Sequence, residues 1–442
     1  MTDAAPRPAA DGTKGTPGGR VLVILLIAYI FNFVDRQIVG VLAVPIKAEL
    51  GLSDTQLGLM IGSAFAIFYT SLGIPIAWLA DRYSRVKIIA FSLALWSLFT
   101  AICGLARTFP ALFLARMGVG IGEAGGVAPS YSLIADYFPP EQRARALAIF
   151  AFGIPIGSAL GLFVGGWLAQ AVDWRTAFYV VGLAGLLFVP LVYFGIKEPV
   201  RGGHDNAAGV PPPPLLATFR LLFSKPSFWL LAFGAACSSI MGYGLFAWLP
   251  SLFVRSYGMT LVEASMFYGG IVLIGGLAGV WLGGWLGDLT GKGRPGNYAM
   301  VPAIAWIIAA PFIFAGLSIT DRTLAFFIYL VPTAMTLAWL GPVTAAIQHI
   351  VPPAMRATAS ACFLLINNLI GIGFGVPFLG YLSDRMKHAH GADSLLYSIT
   401  YGLGFYALAA VLLLIASRTL ARDWYRAGED SARYEANPGS SR

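Results

Sequence analysis

Long apolar runs separated by short polar loops recur along the whole chain of 442 residues. A helix needs about 20 predominantly apolar residues to cross a bilayer, because each residue rises only ~1.5 Å. Twelve runs reach that length: about 21–45, 57–79, 86–106, 110–137, 146–170, 175–195, 227–254, 262–287, 298–319, 323–349, 357–382 and 394–417. The pattern predicts an all-α integral membrane protein with twelve transmembrane helices.

Composition agrees. Charged residues are 11% and hydrophobic residues 57% of the chain, where a soluble domain carries about 25% charged residues. The net charge of +8 lies scattered through short loops, so it reports membrane topology and implies no nucleic-acid partner. With both termini inside, the inner segments hold 20 Lys and Arg and the outer loops 7. The positive-inside rule then predicts cytoplasmic N- and C-termini in a cell inner (plasma) membrane. Residues 1–20 are rich in Ala, Pro and Gly, which predicts a disordered cytoplasmic tail and not a cleavable signal. The longest connection, 196–226, contains four consecutive prolines and reads as a cytoplasmic linker. It separates six-helix bundles at 21–195 and 227–417, with a cytoplasmic tail at 418–442. Cys103, Cys237 and Cys362 show no metal or disulfide spacing and read as packing residues.

The two halves echo each other. WLADRYSRVK follows span two and WLGDLTGKGR follows span eight; FPPEQRARALA precedes span five and VPPAMRATASA precedes span eleven. Duplicated halves of this kind point to a transporter with its site near the midplane between them.

These residues resemble the major facilitator superfamily. LADRYSR resembles its loop between spans two and three, with Ala77 and Ser84 in place of two glycines and Asp81, Arg82 and Arg85 retained. GIPIGSALGLFVGG in span five resembles a glycine–proline motif common among its antiporters. NFVDRQ, PIKAELGLSDTQLGLM and ARMGVGIGEAGGVAPSYSLIADYFPPEQRARALAIF resemble, more narrowly, the spinster-like group. The resemblance implies two pseudo-symmetric six-helix bundles and alternating access. It also implies export of an amphipathic solute of the sphingosine-1-phosphate or lysophospholipid class, with proton coupling in bacterial members.

Four charges lie away from the span ends: Asp35 and Arg36 in span one, Arg116 and Glu123 in span four. Charges at membrane depth are costly and mark substrate or proton pathways unless they only pair for packing. Arg116 and Glu123 are seven residues apart and share a helix face. Asp35 stands ~21 Å from the inner end of its span and Glu123 ~20 Å from the outer end of its own. Antiparallel spans would thus bring all four to mid-membrane, and in the resembled superfamily both spans line the cavity. Burial disfavours a charged carboxylate and a nearby arginine favours it, so Asp35, and next Glu123, are candidate proton sites. Arg36 and Arg116 cannot deprotonate and suit a carboxylate when the site is empty and a phosphate or carboxylate substrate when it is loaded. The alternative is a salt-bridge cluster that only fixes packing.

Tyr243 and Asn367, in spans seven and eleven, are candidate substrate contacts, with helix packing the other reading. Phe31, Phe33, Tyr69 and Tyr131 suit the wall of a lipid-tail site. By resemblance, Asp81 holds a helix N-terminus of the opposite half, and Arg82, Arg85, Asp136 and Asp288 join it in a cytoplasmic gate, with Arg85 pairing with Asp136. The glycines of 118–126 lie mid-span and suit close helix packing better than a phosphate loop. No metal-binding, nucleophile-elbow or cofactor motif is present, so the expected driving force is a proton gradient and not a cofactor, and the chain is not expected to be an enzyme. The expected partners are a small amphipathic or anionic substrate, protons and membrane lipid, and a monomer would suffice. An organic-anion uptake symporter driven by protons is the alternative within transport.

Overall fold

The computed structural model describes residues 18–80, 82–201, 215–291, 294–352 and 355–425. Ten membrane helices follow in order: α1 (Gly18–Val41), α2 (Asp54–Ala80), α3 (Arg85–Cys103), α4 (Phe109–Tyr137), α5 (Arg145–Ala171), α6 (Trp174–Gly195), α7 (Pro226–Tyr257), α8 (Leu261–Gly291), α9 (Asn297–Ser318) and α10 (Arg322–His349). The last apolar stretch, Thr358–Asp423, is 66 residues long, which at ~1.5 Å per residue far exceeds one bilayer. It turns back at Gly391, whose φ of 54° favours a residue without a side chain. It therefore makes two crossings, α11 (356–390) and α12 (394–423).

Local chemistry sets the helix starts. Ser53 and Gln56 form a capping box at α2, and Ser84, Thr108, Asp173 and Asp321 accept backbone N–H groups at the starts of α3, α4, α6 and α10. α1 begins before the expected end of the N-terminal tail, and α12 runs to Asp423 rather than ending at 417. The 196–226 connection carries a helix of its own, Leu215–Phe223. Its proline run lies outside the described residues, as do residues 1–17 and 426–442.

The helices form two six-helix bundles related by the internal repeat. Within the first, α1 packs on α5 and α3 on α6; within the second, α12 packs on α7 and α9, and α8 on α10. The halves meet along three seams: α1 with α7, α2 with α11, and α5 with α8. Large apolar side chains such as Leu187, Phe194 and Phe91 stay exposed on the outer surface, as lipid contact demands.

The seams are tight toward the face that carries Gly391. A Cβ on Gly40 would stand 3.1 Å from the Ala247 carbonyl, and one on Gly58 would stand 2.6 Å from Cα of Pro377. Toward the other face the halves part: a Cβ on Gly73 of α2 or Gly284 of α8 would meet nothing within 4 Å. Trp78, Tyr131 and Trp285 are exposed there. The molecule is closed at one face and open at the other.

Candidate functional site

α1 and α4 bring the four membrane charges together in two crossed pairs. Arg36 Nε donates to Glu123 Oε2 at 2.7 Å. Arg116 Nη1 stands 3.9 Å from Asp35 Oδ1, too far for a hydrogen bond. The other Asp35 oxygen accepts from the Thr100 hydroxyl of α3 at 2.5 Å. Asp35, Arg116 and Glu123 are at most 1% exposed.

Glycines make this approach possible. A Cβ on Gly120 would stand 2.5 Å from the Phe65 carbonyl of α2, and Gly122 is as tight against Trp96 of α3. Close packing thus accounts for the glycine run at 118–126. α4 breaks directly after Glu123, through Ala124–Gly126, and resumes at Val127.

Hydrogen bonding in this cluster is incomplete. Seven buried polar atoms have no protein partner: both amide atoms of Asn32, Asp35 Oδ1, Arg36 Nη2, Arg116 Nε and Nη1, and Glu123 Oε1. Buried polar groups in folded proteins are normally paired with protein or water, and exceptions concentrate where something else binds. Asn32 lies one helical turn before Asp35 and Arg36, and only its burial reveals its membership.

Arg36 and Arg116 both line a cavity at the interface of the halves. Phe33, Gln37 and Phe65 line it from the first half, and Ser239, Tyr243, Thr336 and Trp339 from the second. Tyr243 therefore reaches the cavity. Asn367 does not: it sits behind the wall, where its Oδ1 accepts from the Ser239 hydroxyl at 2.8 Å. The amide is used to join α7 to α11.

Of the four aromatic residues read as an apolar wall, Phe33 lines the cavity, and Phe33 and Tyr69 also take a further job. The Arg36 guanidinium lies 5.1, 4.7 and 4.5 Å from the ring centroids of Phe33, Phe65 and Tyr69. These rings form a cation–π cage that holds the charge in place. Phe31 turns away and packs on Phe188. Tyr131 packs on Phe150, which also stacks on Tyr29.

At the open face Arg85 pairs with Asp136 at 2.5 Å. It also donates to Glu198 Oε1 at 2.7 Å and to the Ser132 hydroxyl at 2.8 Å. Every one of these partners lies in the first half or directly after α6, so the network ties the linker to its own bundle. Glu198 additionally accepts from Val86 N–H and the Ser84 hydroxyl at the start of α3. Arg82 stacks on Trp78 of the same half, 3.8 Å from the ring centroid. Asp81 and the side chain of Asp288 lie outside the described residues.

Partial burial raises the affinity of Glu198 for a proton, but the hydrogen bonds from Arg85, Val86 and Ser84 outweigh it and hold the carboxyl below the usual range. A depressed acid stabilises the fold above its unfolded pKa, and that stability is lost as pH falls through the lower, folded value. Segment 196–201 should therefore loosen only on acidification below the ordinary glutamate range of ~4.3. Glu198→Gln should reproduce the loosening at neutral pH, read as faster amide exchange at Val86. Unchanged exchange in that variant would mean the contact holds nothing.

The closed face carries a network that sequence reasoning missed. Asp54, buried at the start of α2, accepts from Arg255 Nη1 and Nη2 of α7 at 2.8 and 2.7 Å and from the Ser383 hydroxyl of α11 at 2.8 Å. Lys47 pairs with the same carboxylate. Asp384 of α11 accepts from the N–H groups of Asp54 and Thr55 at 3.0 and 2.7 Å and from the Thr55 hydroxyl at 2.6 Å. An anion at a helix N-terminus is favoured by the macrodipole. The two aspartates thus bolt the halves together. The capping box at Ser53 was the available signal, but it announces a helix start and not a partner 201 residues away.

Comparison with known proteins agrees with this geometry. The family described as Major Facilitator Superfamily matches residues 25–376. A "MFS-type efflux pump" of Mycolicibacterium smegmatis is 34% identical over 403 residues, covering 90% of this chain and 89% of the pump. "Protein spinster homolog 1" of Xenopus laevis is 31% identical, covering 89% and 78%, and its Homo sapiens counterpart is 30% identical, covering 84% and 74%. The crystal structure of a bacterial homolog to the human lysosomal transporter spinster, inward-facing and unoccupied, superposes with a TM-score of 0.83 at 31% identity. It covers 94% of this chain and 100% of that one. The inward-facing, occupied structure gives 0.80, with coverage of 93% and 99%.

Proposed function

Because the chain belongs to the major facilitator superfamily and to its spinster-like group, we propose that this membrane transporter is proton-coupled and works by alternating access. It exports an amphipathic, anionic, lipid-like solute across the plasma membrane, with both termini cytoplasmic and the open face inward. The observation that carries the reading is the crossed charge cluster at the cavity wall: Arg36 and Arg116 line the cavity and hold donors without hydrogen-bond partners, and the acids they pair with, Asp35 and Glu123, are buried behind them and do not line it.

The chemistry runs as an exchange of partners at the two guanidiniums. An anionic head group entering from the open face takes the free donors of Arg116. Its negative charge competes with Asp35 and Glu123 for the two guanidiniums, and the acids then favour their protonated forms. Proton release on the far side restores the crossed pairs. The efflux-pump name of one relative supports this direction, and the inward-facing state of the similar crystal structures supports reading the open face as the inner one.

The test is reconstitution in vesicles with a trapped pH dye, adding lysophospholipids first. Substrate-dependent proton movement is expected, lost in Asp35→Asn and Glu123→Gln. Export in which proton and solute leave together alkalinises the compartment equivalent to the cell interior, whereas exchange of incoming protons for solute, or proton-driven uptake, acidifies it; the direction of labelled solute movement separates those two. If both variants carry solute with the wild-type proton dependence, neither acid is the coupling site.

A further inference from the structure

α2 and α11 each leave α-helical winding once. Over Leu59–Ser63 and Leu369–Gly375 the turn widens to π, with Ala64 N–H reaching back to the Leu59 carbonyl. Such turns are rare and concentrate at functional sites.

These two segments lie against each other across the interface of the halves. The Ser63 hydroxyl donates to the Gly373 carbonyl at 2.7 Å. A Cβ on Gly62 would stand 2.4 Å from the Ile372 carbonyl and 2.9 Å from Cδ of Pro377. The other long seam, α5 with α8, holds no π turn in its described residues.

Their position along the helices is the second observation. Along α2, Asp54 of the bolt comes first, then the π turn, then Phe65 and Tyr69 of the Arg36 cage. Along α11, Asn367 comes first, then the π turn with cavity-lining Ile372, then Ser383 and Asp384 of the bolt. On both helices the widened turn therefore joins the cavity wall, through Ile61 and Ile372, to the stretch that leads to the bolt.

We infer that the paired π turns couple the cavity to the Asp54 bolt, with Gly58, Gly62, Ser63 and Gly373 as positioning residues of the transport step. The inference rests on the alternating-access reading. Rewinding a π turn to α turns the helix on one side of it relative to the other. The face of α2 that cages Arg36 and the face that holds Arg255 then cannot move independently. While the two turns interlock, backbone lies on backbone and the closed face stays shut; the face opens when they part.

Nitroxide labels at exposed Leu105 and Leu324, on the closed face of opposite halves, report this directly. They would be introduced as cysteines, with Cys103, Cys237 and Cys362 replaced by alanine. Gly62→Ala places a methyl inside the interlock, so the 105–324 distance should lengthen in folded, monodisperse protein without any substrate. Ser63→Ala removes only the cross-half hydrogen bond and should raise the open population about fivefold, as loss of one ordinary hydrogen bond implies. Gly73→Ala, where a Cβ meets nothing, should leave the distance unchanged. A wild-type distance distribution in folded Ser63→Ala, with Gly62→Ala also unmoved or unable to fold, overturns the inference. Lengthening in protein that moves no solute in the vesicle assay would keep the coupling element and remove the transport reading instead.

Discussion

Asp54→Ala is expected to open the closed face. The carboxylate is nearly inaccessible and receives both terminal nitrogens of Arg255, the Ser383 hydroxyl and the Lys47 ammonium. Removing it leaves two cations facing each other with no anion between them. Breaking a buried pair by deleting one partner costs about 3–5 kcal/mol. Arg255 retains 18% exposure, so the lower end applies, about two decades in the ratio of closed to open molecules. In the open state Arg255 and Lys47 recover water, so the cost falls on the closed state. The 105–324 label distance measures the shift, and Asp54→Asn should give a smaller one. If Asp54→Ala keeps the wild-type distance, the apolar seams alone hold the face shut.

Arg116→Ala is expected to weaken anion binding about a hundredfold or more. Its Nε and Nη1 have no protein partner, and it lines the cavity. Hydrogen bonds to charged groups contribute about 1.5–3 kcal/mol each, and two such donors are available. Arg36 has its Nε tied to Glu123 and its plane held by three rings, so it is less free to turn toward an anion. Arg36→Ala should therefore cost less affinity, and Arg116→Lys should restore part of what Arg116→Ala loses. Titration calorimetry with a short alkyl phosphate separates the variants. Wild-type affinity in Arg116→Ala, with loss in Arg36→Ala, would exchange the two roles.

Much of this was legible in the chain. Twelve apolar runs dictate twelve helices, because lipid offers no partner for an unbonded backbone. The expected Arg85–Asp136 contact needed only two residues at neighbouring helix ends. The convergence of Asp35, Arg36, Arg116 and Glu123 followed from equal depth in antiparallel spans, together with a family resemblance that places the spans side by side. Their pairing did not follow: depth alone cannot say that Arg36 takes Glu123 and leaves Arg116 short of Asp35.

The aromatic residues show the same limit. Phe33 and Tyr69 read as an apolar wall, since an aromatic in a membrane span is usually that. Only the rotation of α1 against α2 turns them, with Phe65, into a cage for a cation.

The sequence by itself determined what each segment is: which stretches cross the membrane, that the halves repeat, and which charges the membrane would not tolerate unpaired. Hydrophobic length, helical rise and the cost of a buried charge are local quantities, and a chain displays them one residue at a time. The tertiary structure decided what meets what. Asp54 and Arg255, Asp384 and the start of α2, and Ser63 and Gly373 are each separated by two hundred residues or more. Their partnership depends on the angle and offset at which two bundles close, which no local pattern encodes.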